Sequence, residues 1–412
     1  MKFSGSTMAY TMTLTLLIAT LLGSILTVNK HYRRVLNARY TQERARENLV
    51  SGMAFLLSRR PAGSESHAIG LFEFSPDSFY AETEDWGLLR LVHGKGVYAQ
   101  SQEFRSCMVG QPLAVSTAAL VLTGSNMPLT VAGNTRIMGD AVLPRRDVYA
   151  GKVDGRNYTG ERTVYGKITS LDEIPFIYSK NIPEQVKNIL LNLPDPLEGI
   201  MDLMNIEATQ PWQGEGLEIR QSQSLRLENV NLSGKCRIIS GDQVFISSAA
   251  RLNNCLIFAR KIVIGAGFSG RLQAYATDTL EVGENVRLTY PSLLGVAKTH
   301  ATPAYLSLGK GTVLEGEVIF DPGYIPVARN PKDYVLIGPE ATVYGEVRAA
   351  HNLDLRGKVN GRVIAGNLLL RTAGTLYINY LLDATLNLGE LSPEFAGAIS
   401  EPPEVLKIIE WL

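Results

Sequence analysis

In the second half of the chain, short apolar-x-apolar runs return about every 18 residues. They stand at Leu225-Arg226-Leu227, Val244-Phe245-Ile246, Ile262-Val263-Ile264, Leu280-Glu281-Val282, Leu306-Ser307-Leu308, Val335-Leu336-Ile337, Leu353-Asp354-Leu355 and Leu368-Leu369-Leu370. Alternating apolar positions mark a strand with one buried face. One such strand cannot bury that face alone, so the repeat predicts stacked turns of a parallel β-helix. Gly265, Gly283, Gly309 and Gly338 directly follow four of the runs and suit tight corners. Two steps are longer, and their extra residues hold Pro291, Pro303, Pro322, Pro326 and Pro331, which predicts loops extruded from a corner.

The first sixty residues follow a different pattern. From Met8 through Val28 there is no charge, and a helix of that length spans about 30 Å, one bilayer core. Thr11, Thr13, Thr15, Thr20, Ser24 and Thr27 interrupt its apolar character. The basic start is thin, only Lys2, and no small-x-small site precedes Lys30, which predicts a retained anchor rather than a cleaved signal. Beyond the span, Val35, Ala38, Ala45, Leu49, Met53, Leu56 and Leu57 recur mostly at three- and four-residue steps until Pro61. One helix, half in lipid and half outside, is the simplest account.

The expected organisation is therefore a transmembrane and stalk helix over residues 1–60, an irregular β-rich region with short helices over 61–216, a parallel β-helix over 217–390 and a helical cap over 391–412. In fold class this is a mainly β protein, a single-stranded parallel β-helix body preceded by a long N-terminal transmembrane and stalk α-helix. Within the middle region, strands punctuated by Gly133, Gly139, Gly151, Gly155, Gly160 and Gly166 follow a less regular version of the same coil plan. Short helices are expected at residues 183–191 and 197–204. The cap is expected because an open coil end exposes a strand edge.

Composition narrows the function. The 412 residues carry 40 basic and 40 acidic side chains, a balance that argues against nucleic-acid binding. The balance is uneven: up to Arg60, nine basic residues face only Glu43 and Glu47. Three cysteines, Cys107, Cys236 and Cys255, do not make a disulfide framework. Cys236 and Cys255 lie about one coil apart and read as stacked, buried thiols.

Two resemblances follow. Lys2 through Gly5, then Ser6-Thr7-Met8-Ala9, the apolar run and Asn48-Leu49-Val50-Ser51-Gly52-Met53-Ala54 resemble the start of type IV pilin-like proteins, in particular K-type minor pseudopilins and minor pilin assembly proteins. The resemblance implies peptidase cleavage after Gly5, leaving Ser6 as the new N-terminus. Tyr10 stands where most pilins carry glutamate, a departure shared by K-type members. In the second half, residues 341–349 and 357–365, with 311–318 as a third copy, resemble bactofilins, polymer-forming β-helix proteins.

Candidate chemistry is sparse. His31, His67, His93, His300 and His351 show no metal spacing, and His351 is expected at an exposed corner. Gly265-Ala266-Gly267-Phe268-Ser269-Gly270 lacks the Lys-Ser/Thr of a phosphate loop and reads as a turn. Residues 337–343 resemble one hexapeptide unit of left-handed β-helix acyltransferases, but no further hexads follow. A polysaccharide-active enzyme would need clustered carboxylates. Its candidates are Glu281, Glu284, Glu315, Glu317, Glu346 and Asp354, with Tyr275, Tyr290 and Tyr344 for sugar stacking. Outward charges on coils more often serve solvation.

The expectation is a non-enzymatic bacterial cell-envelope protein, single-pass in the inner membrane. It has no catalytic, cofactor or metal residues, and Gly5 and Ser6 form a candidate processing site. Its partners would be the bilayer through residues 8–28 and other pilin-like or envelope proteins, with polysaccharide a further candidate. The body is placed on the periplasmic or extracellular side. The alternatives are a membrane-tethered bactofilin-like scaffold on the cytoplasmic side and a membrane-bound carbohydrate-active β-helix enzyme. The positive-inside rule favours the cytoplasmic side, because basic charge follows the span.

Overall fold

A computed structural model describes residues 5–59, 65–72, 75–113, 118–173, 182–300, 302–321, 332–399 and 405–412. The chain is mainly β with one long N-terminal helix, and it divides into two compact units. The smaller unit comprises Met1–Arg59, Glu65–Glu82 and His93–Arg105. The larger comprises Arg60–Ser64, Thr83–Val92 and Ser106–Leu412.

In the smaller unit, α1 runs unbroken over Gly5–Ser58. No proline interrupts it, and its stalk half carries an apolar stripe at helical spacing. Ala45, Leu49, Met53, Leu56 and Leu57 are buried, whereas Val35 remains exposed, so the stripe finds a partner only from Ala45 onward. That partner is strand backbone and ring. β1 (Ser66–Gly70) pairs antiparallel with the start of β2 (Ser78–Trp86), Gly70 opposite Ser78. β3 (Leu89–Tyr98) brings Gly96 against Ala45 and Leu49, where an added Cβ would strike the helix backbone. Gly52 gives the ring of Phe79 its place on the helix. Asn48 donates its amide to the Val97 carbonyl at 2.9 Å. Of the region expected as irregular before residue 105, Ser66–Gly70, Ser78–Trp86 and Leu89–Tyr98 are thus strands of one sheet with Ser101–Pro112.

The larger unit is dominated by parallel strands that close on themselves. The sequence repeat falls into a single register column. Met201 pairs with Leu225, Leu225 with Val244, Val244 with Ile262, and Ile262 with Leu280. Leu280 then pairs with Leu306, Leu306 with Val335, Val335 with Leu353, and Leu353 with Leu368. The longer steps at Pro291 and beyond leave this column unbroken. Inward side chains of every rung from Leu225 on form one apolar core. A second column consists of backbone: Ser292, Gly316, Gly345 and Gly361 lie in register, the three glycines at φ between +148° and +156°. An added Cβ at any of them would strike the carbonyl of the rung before.

Three expectations are corrected. First, residues 118–170 do not form coils before the regular stack; they continue it from its far end. Val363 pairs with Leu120, Thr385 with Arg136, Ala118 with Asp140, and Ile168 with Ala141. The chain completes the last rungs first and then returns to the other end before starting at Ile200. The helix expected near residues 183–191 belongs to this return: α2 spans Glu184–Leu191. Its Val186 and Leu190 pack on the outer face of the rungs at Ile239, Leu256, Phe258 and Tyr275, joined there by Trp86, Leu88, Leu89 and Leu91.

Second, Ile200–Met204 is a strand, not a helix, because it pairs in parallel with Ser224–Glu228. Third, the C-terminal segment is not a helical cap. Lys407–Trp411 is a strand that pairs antiparallel with β4 (Ser101–Pro112), Lys407 opposite Gly110. An apolar run this short fits either period, and an available strand edge decided it. Residues 400–404 of the proposed cap lie outside the described residues.

Both columns can be tested. Ile337→Asp places a charge in the apolar column and should cost about 3–5 kcal/mol, whereas Arg287→Asp, at an exposed position, should cost less than about 1 kcal/mol. Gly345→Ala adds strain of about 1–3 kcal/mol. Thermal melts should rank Ile337→Asp and Gly345→Ala clearly below wild type, with Arg287→Asp close to it.

Candidate functional site

Among the described residues, one helix, α1, is long and apolar enough to span a membrane. An 18-residue window within Thr7–Ser58 has mean hydropathy 1.9 and is not buried at all within the protein. Its hydroxyls, a weakness in the sequence pattern, are satisfied on the helix itself. Thr11 donates to Met8 O at 2.9 Å, Thr15 to Thr11 O at 3.0 Å, Ser24 to Thr20 O at 2.9 Å and Thr27 to Gly23 O at 2.8 Å. Thr13 and Thr20 do the same. A hydroxyl bonded back to its own turn needs no water, as a hydrocarbon environment requires. Gly5 and Ser6, the candidate processing residues, are the first two residues of α1; residues 1–4 lie outside the described residues.

Beside the stalk, Asp77 is buried and receives Arg44 Nε at 3.0 Å, together with the Ser75 hydroxyl. Burial alone would raise its carboxyl, but hydrogen bonds from Ser75, Asn48 and Arg44 outweigh it and hold the group below the usual range. A cavity of about 550 Å³ lies along the same helix, lined by Arg39, Gln42, Arg46, Glu103, Phe104 and Arg105 among others.

The six candidate carboxylates do not form one catalytic cluster. Glu281 accepts the Tyr305 hydroxyl and lies 3.9 Å from Lys261. Glu284 is exposed at a turn. Glu315 lies 3.6 Å from Arg287. Asp354 is buried and held bidentately by Arg356, at 2.9 and 2.7 Å. Only Glu317 and Glu346 come together, on adjacent rungs, with Arg362 next in the column. Both are fully buried; Glu346 pairs with Arg348 and lies 3.7 Å from Arg362. Gly397 covers Glu317 so closely that a Cβ there would meet the carboxylate. No sugar reaches such a pair without moving that segment. Among the stacking candidates, Tyr275 is buried, Tyr290 donates to Ala396 O at 2.7 Å, and Tyr344 is exposed.

The other candidates fall in separate places. Cys236 and Cys255 are buried, hydrogen-bonded neighbours; the bond with Cys236, then burial, raises the Cys255 thiol well above its ordinary range. Burial pushes Cys107 up to about 12. The glycine-rich stretch 265–270 turns at Ala266 and Gly267, the latter at φ +75°, buries Phe268 and enters the strand Ser269–Val282. His351 is not an exposed corner residue: it lies half-buried, 3.9 Å from Asp333 and against the Phe320 ring. Asp333 pairs with Lys298 at 2.7 Å, both deeply buried, an ion pair between the two long insertions that the repeat pattern did not reveal. Among the described residues, no group of His, Cys, Asp and Glu is arranged to hold a metal ion.

No family profile, no curated protein and no solved structure matches the chain.

The Asp77 arrangement makes a pH prediction. Its folded-state carboxyl is depressed, so its contribution is present above the unfolded value and lost as pH falls through the folded one. Asp77→Asn should therefore destabilise the smaller unit by about 1–3 kcal/mol near neutrality. The difference from wild type should shrink below about pH 4. Hydrogen exchange at the Val97 amide across that range reads it.

Proposed function

We propose that this chain is a non-enzymatic, single-pass envelope protein. α1 holds it in the inner membrane, and the larger unit, built as a parallel β-helix, is a rigid surface for assembly with other envelope proteins. The β-helix reading is supported by the single column from Met201 to Leu368, in which each rung pairs with the next run in sequence. The anchor carries the functional reading. Its apolar side chains face outward from residue 8 to residue 28, while its hydroxyls bond to its own backbone. The carboxylates that a carbohydrate-active enzyme would use are mostly held in ion pairs or buried, which favours a structural role.

On this reading the protein is a minor pilin-like component, with Gly5 at a peptidase site. A second reading, a scaffold on the cytoplasmic side, is favoured by Lys30, Arg33, Arg34 and Arg39, exposed directly after the span. Two measurements separate them. Intact mass of the membrane-bound protein should show a chain beginning at Ser6, and Gly5→Leu should retain residues 1–5. A wild-type chain still beginning at Met1 rejects the pilin-like reading. Protease added to the outer face of intact inner-membrane vesicles of known orientation places the body on one side or the other.

A further inference from the structure

The first rung of the parallel ladder is only half closed. Met201, Leu203, Ile206, Ala208, Leu217 and Ile219 point toward the apolar core but remain half-buried. Their counterparts one rung on, Leu225, Leu227, Val230, Leu232, Cys236 and Ile238, are wholly buried. The strands Ile200–Met204, Glu207–Gln210 and Leu217–Gln221 pair on one side with Ser224–Glu228, Asn231–Gly234 and Cys236–Ser240. Solvent reaches the six apolar side chains from the other side. That side presents three strand edges around an incompletely covered core, a surface that normally recruits another strand.

We propose that this end binds the same end of a second copy, giving a closed two-fold dimer; the inference rests on the stacked-coil reading of the larger unit. A two-fold axis through Ile219 and the corner at Asn205 and Ile206 sets Leu217–Gln221 antiparallel to itself. Glu218 then lies opposite Arg220 of the second copy, and Arg220 opposite its Glu218. Both are outward and exposed; within one chain they pair with each other at 3.1 Å, and Glu218 with Arg237 at 3.2 Å, and across the axis opposite charges again stand face to face at both places, extending that network. The same axis sets Ile200–Met204 against Glu207–Gln210. Leu203 meets Ala208 and Met201 meets Gln210, half-buried against half-buried, while exposed Asp202 meets exposed Thr209. Inward faces therefore meet inward faces on all three sides, as an isologous contact requires.

The opposite end does not offer an equivalent surface. Its last described rung pairs through the three residues Ile168–Ser170, so a head-to-tail joint would satisfy one side of three. A dimer closed at one end, rather than a growing filament, is the consequence.

The test uses the full chain in detergent. Ile219→Cys, on the axis, should give a covalent dimer on oxidation or with a short bismaleimide, seen on a non-reducing gel. Asn157→Cys, exposed in the far-end segment, should stay monomeric. Added to Ile219→Cys, Glu218→Arg should reduce the dimer at least about tenfold, and Glu218→Arg with Arg220→Glu should restore it. A monomeric Ile219→Cys, equal cross-linking at Asn157→Cys, or cross-linking indifferent to the charge reversal overturns the proposal. The Ile337→Asp melt separates the two failures: if that change is costly and Ile219→Cys is monomeric, the coils stand and the dimer falls. If Ile337→Asp costs nothing, the coil reading itself falls.

Discussion

A strand has two edges, and a parallel ladder can satisfy both only by adding another strand at each end. Most of the unusual features of the larger unit follow from that constraint. The outer end is not left to the last strands in sequence; residues 118–170, made earlier, lie on top of the Lys358–Arg371 and Thr385–Asn387 strands. That solution obliges the chain to travel back before Ile200. The return segment is used rather than wasted, since α2 covers an outer face that would otherwise expose Phe258 and Tyr275. The strand Lys407–Trp411 answers the same need elsewhere by occupying an edge of β4.

Burying charge is the second cost of so regular a stack. Three ionisable pairs are enclosed against the parallel strands: Lys298 with Asp333 between the two long insertions, Lys187 of α2 with Asp321 at 2.9 Å, and Glu346 with Arg348 on one strand. Such pairs add little net stability over apolar replacements, but removing one member leaves an uncompensated buried charge. They therefore act as constraints on which segment may lie where. Asp321 also accepts the Ile182 amide at 3.1 Å, so one carboxylate ties both the start of α2 and its Lys187 to the wall of the ladder.

The column of inward apolar residues was legible because it depends on local alternation and a fixed step, and both are written along the chain. The longer steps were legible as departures from that period, but not what fills them: the first, expected as an extruded loop around Pro291, is largely the strand Arg287–Ala297, paired on both sides, and Pro322, Pro326 and Pro331 lie outside the described residues. The placement of residues 118–170 was not. Val363 and Leu120 are neighbours in space but distant in sequence, and no local pattern names the partner of a strand at the far end of a stack. The C-terminal strand was misread because its apolar positions are too few to separate a period of two from one of 3.6. The candidate carboxylates were located but not their surroundings. Whether Glu317 faces solvent or lies under Gly397 depends on a segment about eighty residues away.

The apolar helix and the ladder meet one requirement, that polar groups be satisfied without water. In the apolar helix, Thr11, Thr15, Ser24 and Thr27 satisfy their hydroxyls by turning back onto carbonyls three or four residues earlier, as a helix able to span a membrane requires. In the ladder, backbone groups are satisfied by the next rung, and the column at Gly316, Gly345 and Gly361 exists because the carbonyl below leaves no space for a side chain. The first rung departs from this rule: its backbone edges and its six half-buried apolar side chains face the same way. A surface with both deficits on one side, flanked by Glu218 and Arg220 in a self-complementary order, is best satisfied by another strand edge. Solvent can hydrate the backbone groups there, but it cannot cover Leu203, Leu217 and Ile219.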